Sequence, residues 1–107
     1  KHYQESWVVF QPHTYSRTKN HLQDFAKALC EFDHVIVTDI YAARETNKYN
    51  VSAKTLVSAV EKLGKEARYI SSFEDIVSFL HENAKSGDIV LTLGAGTVTE
   101  VGPMLIH

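Results

Sequence analysis

The chain has 107 residues, of which 44% are hydrophobic, and this is enough for one small domain with a single core. A formal net charge of -2, with no long run of Lys or Arg, excludes the basic surface that nucleic-acid binding requires. No stretch approaches the roughly 18 apolar residues that span a bilayer, and the single cysteine, Cys30, excludes an internal disulfide.

Predicted strands and helices alternate along the sequence. Runs rich in aliphatic, β-branched and aromatic residues predict strands at 7–10, 34–40, 67–70 and 88–93. Between them, apolar residues recur at helical spacing. The apolar stripes are, in chain order, Leu22, Phe25, Ala26, Leu29 and Cys30, then Leu56, Val57, Val60 and Leu63, then Phe73, Ile76, Val77 and Leu80. This order predicts one Rossmann-like α/β domain over 1–107, a three-layer sandwich with a mainly parallel sheet and helices on both faces.

The second and third predicted helices carry signals at both ends. Ser52 and Ser72 precede them as N-caps, and Asp75 stands at capping-box spacing from Ser72. Gly64 and Gly87 follow them as helix stops. The ends of these two helices are therefore predicted by capping residues as well as by the apolar stripes.

The segment after the first strand concentrates polar groups directly before a helix. His13, Tyr15, Ser16, Arg17 and Thr18 supply an imidazole, a phenol, hydroxyls and a guanidinium. Ligands of parallel sheets bind beyond the carboxyl ends of the strands, and free N–H groups at a helix start, beside a fixed cation, suit a carboxylate or phosphate. Ordinary helix capping with a solvated arginine explains the same residues, so both interpretations stay open.

A glycine-rich turn follows the fourth predicted strand and consists of Gly94, Ala95, Gly96 and Thr97. Glycine allows a close backbone approach to a ligand, so the turn indicates substrate contact, although a tight turn alone explains it equally. A dinucleotide fingerprint would belong after the first strand of the unit. We predict the strand order 3-2-1-4, because only this order places the turn beside the loop after the first strand, in one crevice.

The connection from 39 to 50 is longer than a typical βα loop, and such loops are usually functional or mobile. Tyr41, Arg44 and Glu45 are its candidate cleft residues. Arg44 and Glu45 are also adjacent opposite charges, which is typical of a surface ion pair. We expect the loop to be more mobile than the sheet when no partner domain covers it.

Several kinds of site are missing from the sequence. It contains no G-x-x-x-x-G-K-[ST] loop for ATP phosphates and no G-x-S-x-G nucleophile elbow. The six histidines are scattered without the spacing of a zinc site, so no metal site is predicted. No catalytic residue can be assigned, and the polar loops indicate binding.

Three ordered motifs resemble the third, carboxy-terminal domain of the Mur ligases. They are Val-Val-Phe-Gln-Pro-His-Thr-Tyr-Ser-Arg-Thr at 8–18, Asp-Ile-Tyr-Ala-Ala-Arg-Glu at 39–45 and Leu-Thr-Leu-Gly-Ala-Gly at 91–96. The resemblance covers the chain from Trp7 onward. It is to the branch that joins L-alanine to UDP-N-acetylmuramate in peptidoglycan precursor synthesis, a cytoplasmic step.

The resemblance implies an ATP-dependent and Mg²⁺-dependent amide-bond-forming reaction in which the muramyl carboxylate is phosphorylated and then attacked by the amine of alanine. It implies that the sugar-nucleotide and ATP-binding domains belong to a longer enzyme, so this domain alone is expected to be inactive and to hold no cofactor. It also implies that His13 and Arg17 lie near the incoming alanine and that the turn at 94–97 faces the same site.

Two positions depart from the family's pattern. Thr14 stands where the family commonly has arginine, so one of two guanidinium contacts to the substrate is missing. Gly102 and Pro103 fall in the expected last helix, where proline is tolerated only in the first turn, and this predicts a short or displaced helix.

Two alternatives stay open. The first is the recycling ligase that attaches a ready-made tripeptide to the same sugar nucleotide, and the Pro-His-x-Tyr-Ser-Arg pattern at 12–17 argues against it. The second is a stand-alone α/β module that uses these loops to bind a phosphorylated small molecule without catalysis.

Overall fold

The computed structural model describes residues 4–94, and these residues form four strands and four helices in alternation. In chain order the elements are β1 (Ser6–Gln11), α1 (Tyr15–Asn20), α2 (Leu22–Leu29), β2 (His34–Val37), α3 (Ala53–Lys62), β3 (Ala67–Tyr69), α4 (Phe73–Asn83) and β4 (Ile89–Gly94). None of these helices is long and apolar enough to cross a membrane.

All strand pairs of the sheet are parallel, and the strand order is β3-β2-β1-β4. The predicted order is therefore confirmed. Val8 of β1 pairs with Val35 of β2 on one side and with Leu91 of β4 on the other. Because the chain leaves β1 toward β2 but returns to the opposite side for β4, the strand order reverses at β1.

Helices cover both faces of the sheet, as predicted for a three-layer sandwich. On one face, α2 and α3 pack against Val8, Val35 and Val37. On the other face, α4 packs against Trp7, Val9 and Ile36 through buried side chains. Successive residues of a strand point to opposite faces, so the continuous apolar runs of β1 and β2 supply both cores.

The first predicted helix is interrupted. α1 ends at Asn20 and α2 begins at Leu22, with His21 between them at φ -118° and ψ 22°. The apolar stripe begins only at Leu22, and Thr18 is the buried residue of α1. Cys30 is the half-buried C-cap residue of α2, at the end of its helix and not within it.

The second strand ends at Val37, three residues before its predicted end. Beyond it, side chains make contacts specific to this edge of the sheet. The Thr38 hydroxyl donates to the carbonyl oxygen of Ser71 at 2.9 Å, and the Asp39 carboxylate accepts hydrogen bonds from Tyr69 and Ser71. These polar contacts end the regular pairing although Ile40 continues the apolar run.

The predicted N-caps Ser52 and Ser72 and the predicted helix stop Gly64 are confirmed, whereas Gly87 does not end a helix. Ser52 donates its backbone N–H to the Thr55 hydroxyl at 3.0 Å, and the Ser72 hydroxyl accepts from the Asp75 N–H at 3.2 Å. Gly64 follows α3 with φ +91° and donates to the Glu61 carbonyl oxygen at 2.9 Å, which is a left-handed C-terminal cap. Gly87 instead lies in the turn before β4, beyond the Ala84 C-cap of α4.

The strand β4 presents alternate apolar side chains to solvent. Ile89, Leu91 and Leu93 are 36%, 41% and 42% exposed, whereas Val90 packs against the core on the α4 side. The predictions for Ala95, Gly96, Thr97 and for Gly102-Pro103 lie outside the described residues.

Candidate functional site

The carboxyl ends of β1 and β4 lie side by side, where the strand order reverses. Gln11, the last residue of β1, pairs with Gly94, the last residue of β4. Gly94 has φ +123° and lies against the Gln11 backbone. The loop after β1 and the start of the glycine-rich turn therefore share one edge of the sheet, as the predicted strand order required.

The loop after β2 is fastened along the loop after β1 by a short parallel bridge between His13 and Tyr41. Tyr41 donates its N–H to the Pro12 carbonyl oxygen at 2.8 Å, and its own carbonyl oxygen accepts from the Thr14 N–H at 2.8 Å. The rings of His13 and Tyr41 stack with centroids 5.6 Å apart. Two segments about thirty residues apart in sequence thus form one surface.

The first turn of α1 is capped by the carboxylate of Glu45. One carboxylate oxygen of Glu45 accepts from the N–H groups of Tyr15 at 2.7 Å and Ser16 at 3.1 Å. The other accepts from the Ser16 hydroxyl at 2.5 Å. The expectation that this helix start offers free N–H groups to a ligand is therefore wrong, because the protein's own carboxylate uses them.

The two remaining amides of this turn bond to Thr14. The Arg17 N–H donates to the Thr14 hydroxyl at 3.3 Å, and the Thr18 N–H donates to the Thr14 carbonyl oxygen at 3.2 Å. The buried Thr18 hydroxyl donates to the same carbonyl oxygen at 2.6 Å. An anionic ligand at this turn must therefore bind a positively charged side chain, because the helix N–H groups are already hydrogen-bonded.

Thr14 adopts a backbone conformation that a β-branched residue rarely accepts, with φ 63° and ψ 151°. Such a conformation persists only where surrounding contacts enforce it. Here the Thr14 N–H is held by Tyr41 and the Thr14 carbonyl oxygen by Thr18. Thr14 is thus a strained helix N-cap.

Hydrogen bonding stabilises the ionised form of Glu45. Its pKa is lowered mainly by the hydrogen bond from the Ser16 hydroxyl, then by the Ser16 N–H. Partial desolvation opposes this effect, and the Tyr15 N–H and the charge of Lys48 add to it. Glu45 is therefore an anion at neutral pH while it caps α1.

The arginines at this edge keep their guanidinium groups exposed. Within residues 4–94, neither Arg17 nor Arg44 forms an ion pair. The predicted surface pair between Arg44 and Glu45 is wrong, since Glu45 turns toward α1 instead. His13 is also exposed, and Tyr15 is half-buried. Arg17 and His13 are thus presented by a turn whose own polar groups are internally bonded.

Sequence reasoning missed a polar cluster that supports the same edge. The Asp39 carboxylate accepts from the hydroxyls of Tyr69 and Ser71, the latter at 2.8 Å. The Asp39 carbonyl oxygen accepts from the Gln11 side-chain amide at 3.1 Å. The hydrogen bond to Asp39 raises the pKa of Tyr69. The sequence signal of this cluster was a set of polar residues at the ends of two predicted strands that adjoin in the sheet.

A known family of ligases matches nearly the whole chain. The family described as the Mur ligase, glutamate ligase domain, matches residues 1–96. The chain belongs to this family. Among curated Mur ligases, the UDP-N-acetylmuramate--L-alanine ligase of Caldanaerobacter subterraneus is 54% identical over 100 residues, 94% of the chain. The ligase of the same name from Lachnoclostridium phytofermentans is 46% identical over 105 residues, 98% of the chain.

The fold agrees with that of a solved Mur ligase. The crystal structure of the UDP-N-acetylmuramate-alanine ligase from Thermotoga maritima superposes with a TM-score of 0.70 at 25% identity, over 94% of this chain and 19% of that one. The chain spans 22% of the length of each of the two curated relatives. The resemblance in three motifs is therefore confirmed at the level of the family and the fold.

The described residues at this edge of the sheet present no cluster of metal-binding side chains. Within the described part of the chain, no group of three or more His, Cys, Asp or Glu side chains could hold one. The carboxylates near the site are already engaged, Glu45 with α1 and Asp39 with Tyr69 and Ser71. What the edge offers a ligand is the exposed guanidinium of Arg17 and the exposed imidazole of His13.

Proposed function

We propose that this chain is the amino-acid-presenting domain of a longer, cytoplasmic ligase that joins L-alanine to UDP-N-acetylmuramate in peptidoglycan precursor synthesis. The observation that carries the proposal is the 46% and 54% identity, across nearly the whole chain, to two curated ligases of that name. The geometry supports it, because the loops of the candidate site meet at the reversal point of the strand order.

In this proposal Arg17 binds the carboxylate of alanine. A planar guanidinium bonds both carboxylate oxygens and stays charged at neutral pH. The N–H groups of the α1 turn are already bonded to Glu45 and Thr14, which leaves Arg17 as the cation of this turn. The amine of alanine must be uncharged to attack the activated muramyl carboxyl carbon. In this proposal His13, which is exposed at the same edge, orders the loop or approaches that amine.

ATP and Mg²⁺ are assigned to other domains of the longer protein. The sequence has no phosphate-binding loop of the G-x-x-x-x-G-K-[ST] type, and the acidic side chains at this edge are used within the domain. When bound, ATP supplies the phosphoryl group that activates the muramyl carboxylate. The residues of this domain bind and orient the nucleophile.

The test is Arg17→Ala in the full-length enzyme, with alanine, ATP and sugar nucleotide varied separately. Loss of a charge-assisted contact should lower kcat/KM for alanine by roughly 10-fold to 100-fold. Lys19→Ala is the matched control, because Lys19 is an exposed cation on the same helix whose ammonium contacts the Tyr49 carbonyl oxygen at 3.3 Å. Unchanged alanine kinetics, with impaired ATP or sugar-nucleotide kinetics, would assign Arg17 to phosphate or domain closure instead.

A further inference from the structure

We propose that Glu45 is a positioning residue for substrate binding: its carboxylate fixes the turn at 13–17 so that Arg17 and His13 are held for the incoming amino acid. The inference rests on the proposed function and assigns a role to a loop residue that does not itself bind the substrate. It depends on three hydrogen bonds that the Glu45 carboxylate accepts from Tyr15 and Ser16, about thirty positions earlier in the chain.

The contacts of Glu45 are directed at the residues immediately before Arg17. Tyr15 and Ser16 donate their N–H groups to one carboxylate oxygen, and the Ser16 hydroxyl donates to the other. A carboxylate that accepts three hydrogen bonds restrains both the position and the orientation of this backbone segment. Arg17 follows the restrained segment directly and makes no side-chain ion pair within residues 4–94.

The segment needs an external restraint because it is not in a relaxed conformation. Thr14 at φ 63° begins the turn in a region that side-chain-bearing residues avoid. α1 has six residues, too few to be stable by itself, and it is followed by a break at His21. Glu45 is also the anion that satisfies the positive end of this short helix.

Glu45 is itself held in place by the loop that carries it. Four residues earlier, Tyr41 forms backbone hydrogen bonds to Pro12 and Thr14 and stacks on the His13 ring. Glu45 donates its own N–H to the Ala42 carbonyl oxygen at 2.9 Å, which closes a turn between the two anchors. The loop after β2 thus fastens the loop after β1 at two points, through Tyr41 at Pro12 and Thr14 and through Glu45 at Tyr15 and Ser16.

The test is steady-state kinetics of the full-length enzyme with Glu45→Ala, Glu45→Gln and Ser16→Ala. Glu45→Ala should raise KM for alanine by roughly tenfold or more, whereas kcat and the KM values for ATP and sugar nucleotide should change less than about twofold. Glu45→Gln keeps an acceptor oxygen and should restore part of the affinity. Ser16→Ala combined with Glu45→Ala should cost about as much as Glu45→Ala alone, because both remove the same contact.

Glu61→Ala is the matched control, since Glu61 is an exposed glutamate on α3, away from the site. Hydrogen exchange provides a second readout, and the Tyr15 and Ser16 amides should exchange faster in Glu45→Ala. An unchanged KM for alanine in a folded Glu45→Ala variant would overturn the inference. A parallel loss for all three substrates together with a lower Tm would also overturn it, because Glu45 would then be a general stabiliser.

Failure of the proposed function is distinguishable from failure of this inference. If the wild-type enzyme has no alanine-dependent turnover, the proposed function fails and the positioning role falls with it. If the wild type uses alanine and Arg17→Ala impairs it, but Glu45→Ala does not, only the positioning role is wrong.

Discussion

Gly94 lies so close to Gln11 that a side chain at Gly94 would overlap the Gln11 backbone. The two residues end the paired strands β4 and β1, and a Cβ at Gly94 would fall well inside the contact distance of the Gln11 carbonyl oxygen. Backbone atoms held in paired strands cannot move aside as a flexible side chain can. The close approach of the two loops at the candidate site therefore requires glycine.

Gly94→Ala should destabilise the domain by roughly 2–4 kcal/mol, because it adds a backbone clash to an unfavourable positive φ. Gly64→Ala is the control. Gly64 also has positive φ, +91°, but a Cβ added there would meet no atom within 4 Å. Gly64→Ala should therefore lower the free energy of unfolding by only about 1–2 kcal/mol. Urea unfolding measures both, and equal losses would contradict the proposed clash.

Thr14→Gly should stabilise the domain by about 1 kcal/mol, because the relief of a backbone strain of about 1–3 kcal/mol exceeds the loss of its weak cap. The Thr14 hydroxyl accepts from Arg17 at only 3.3 Å. Thr14→Ala removes the same cap without relieving φ and should destabilise the domain by about 0.5–2 kcal/mol. Thermal unfolding should show a higher stability for Thr14→Gly and a lower stability for Thr14→Ala. If both variants lose stability by the same amount, Thr14 is unstrained.

The contribution of Glu45 to stability should depend on pH. Its pKa is lowered in the folded protein, chiefly by the hydrogen bond from the Ser16 hydroxyl, so the folded state favours the ionised form. That contribution is present above the ordinary glutamate pKa, about 4.3, and is lost as pH falls through the lowered value. The difference in unfolding free energy between wild type and Glu45→Gln should therefore shrink from pH 7 to pH 3. A difference that is constant across this range would exclude an ionised cap.

Asp88→Asn should destabilise the domain by roughly 1–2 kcal/mol. Burial raises the pKa of Asp88, but hydrogen bonds from the Lys85 N–H, the Trp7 indole and the Glu5 N–H outweigh burial and lower it. One Asp88 oxygen accepts from both Lys85 at 2.8 Å and Trp7 at 2.9 Å. An amide supplies one acceptor oxygen, so it leaves a donor of this set unpaired.

Asp24→Asn is the control for Asp88. Asp24 is 80% exposed on α2, and His21 lies 3.9 Å from its carboxylate. Its replacement should change the unfolding free energy by less than about 0.5 kcal/mol. If urea unfolding shows the same change in unfolding free energy for both variants, the hydrogen bonds to Asp88 make no specific contribution to stability.

The strands and helices could be predicted because apolar runs and apolar stripes are local signals. The sheet order followed from the expectation that the loop after β1 and the turn at Gly94 share one crevice, which requires that β4 adjoins β1. The break at His21 could not be predicted. α1 buries Thr18 but lacks an apolar stripe, so its sequence merges into the signal of α2.

The role of Glu45 could not be predicted either, because it depends on contacts 29 and 30 positions away. In the sequence, the obvious partner of Glu45 is its neighbour Arg44. In the fold, the start of α1 lies beside the loop and supplies three hydrogen-bond donors to the Glu45 carboxylate. These three hydrogen bonds stabilise Glu45 more than one solvated ion pair with Arg44 would. The local charge pattern therefore indicated the wrong partner for Glu45.

The buried position of Trp7 gives this domain an internal optical probe. It is the only tryptophan in the 107 residues, is 4% exposed and stacks on His34 with ring centroids 3.9 Å apart. It lies at the start of β1, about 13 Å along the strand from Gln11 at the candidate site. Emission from the folded domain should therefore be insensitive to substitutions at Arg17 or Glu45, and a red shift in a variant at either of these positions would report unfolding and not a local change at the site.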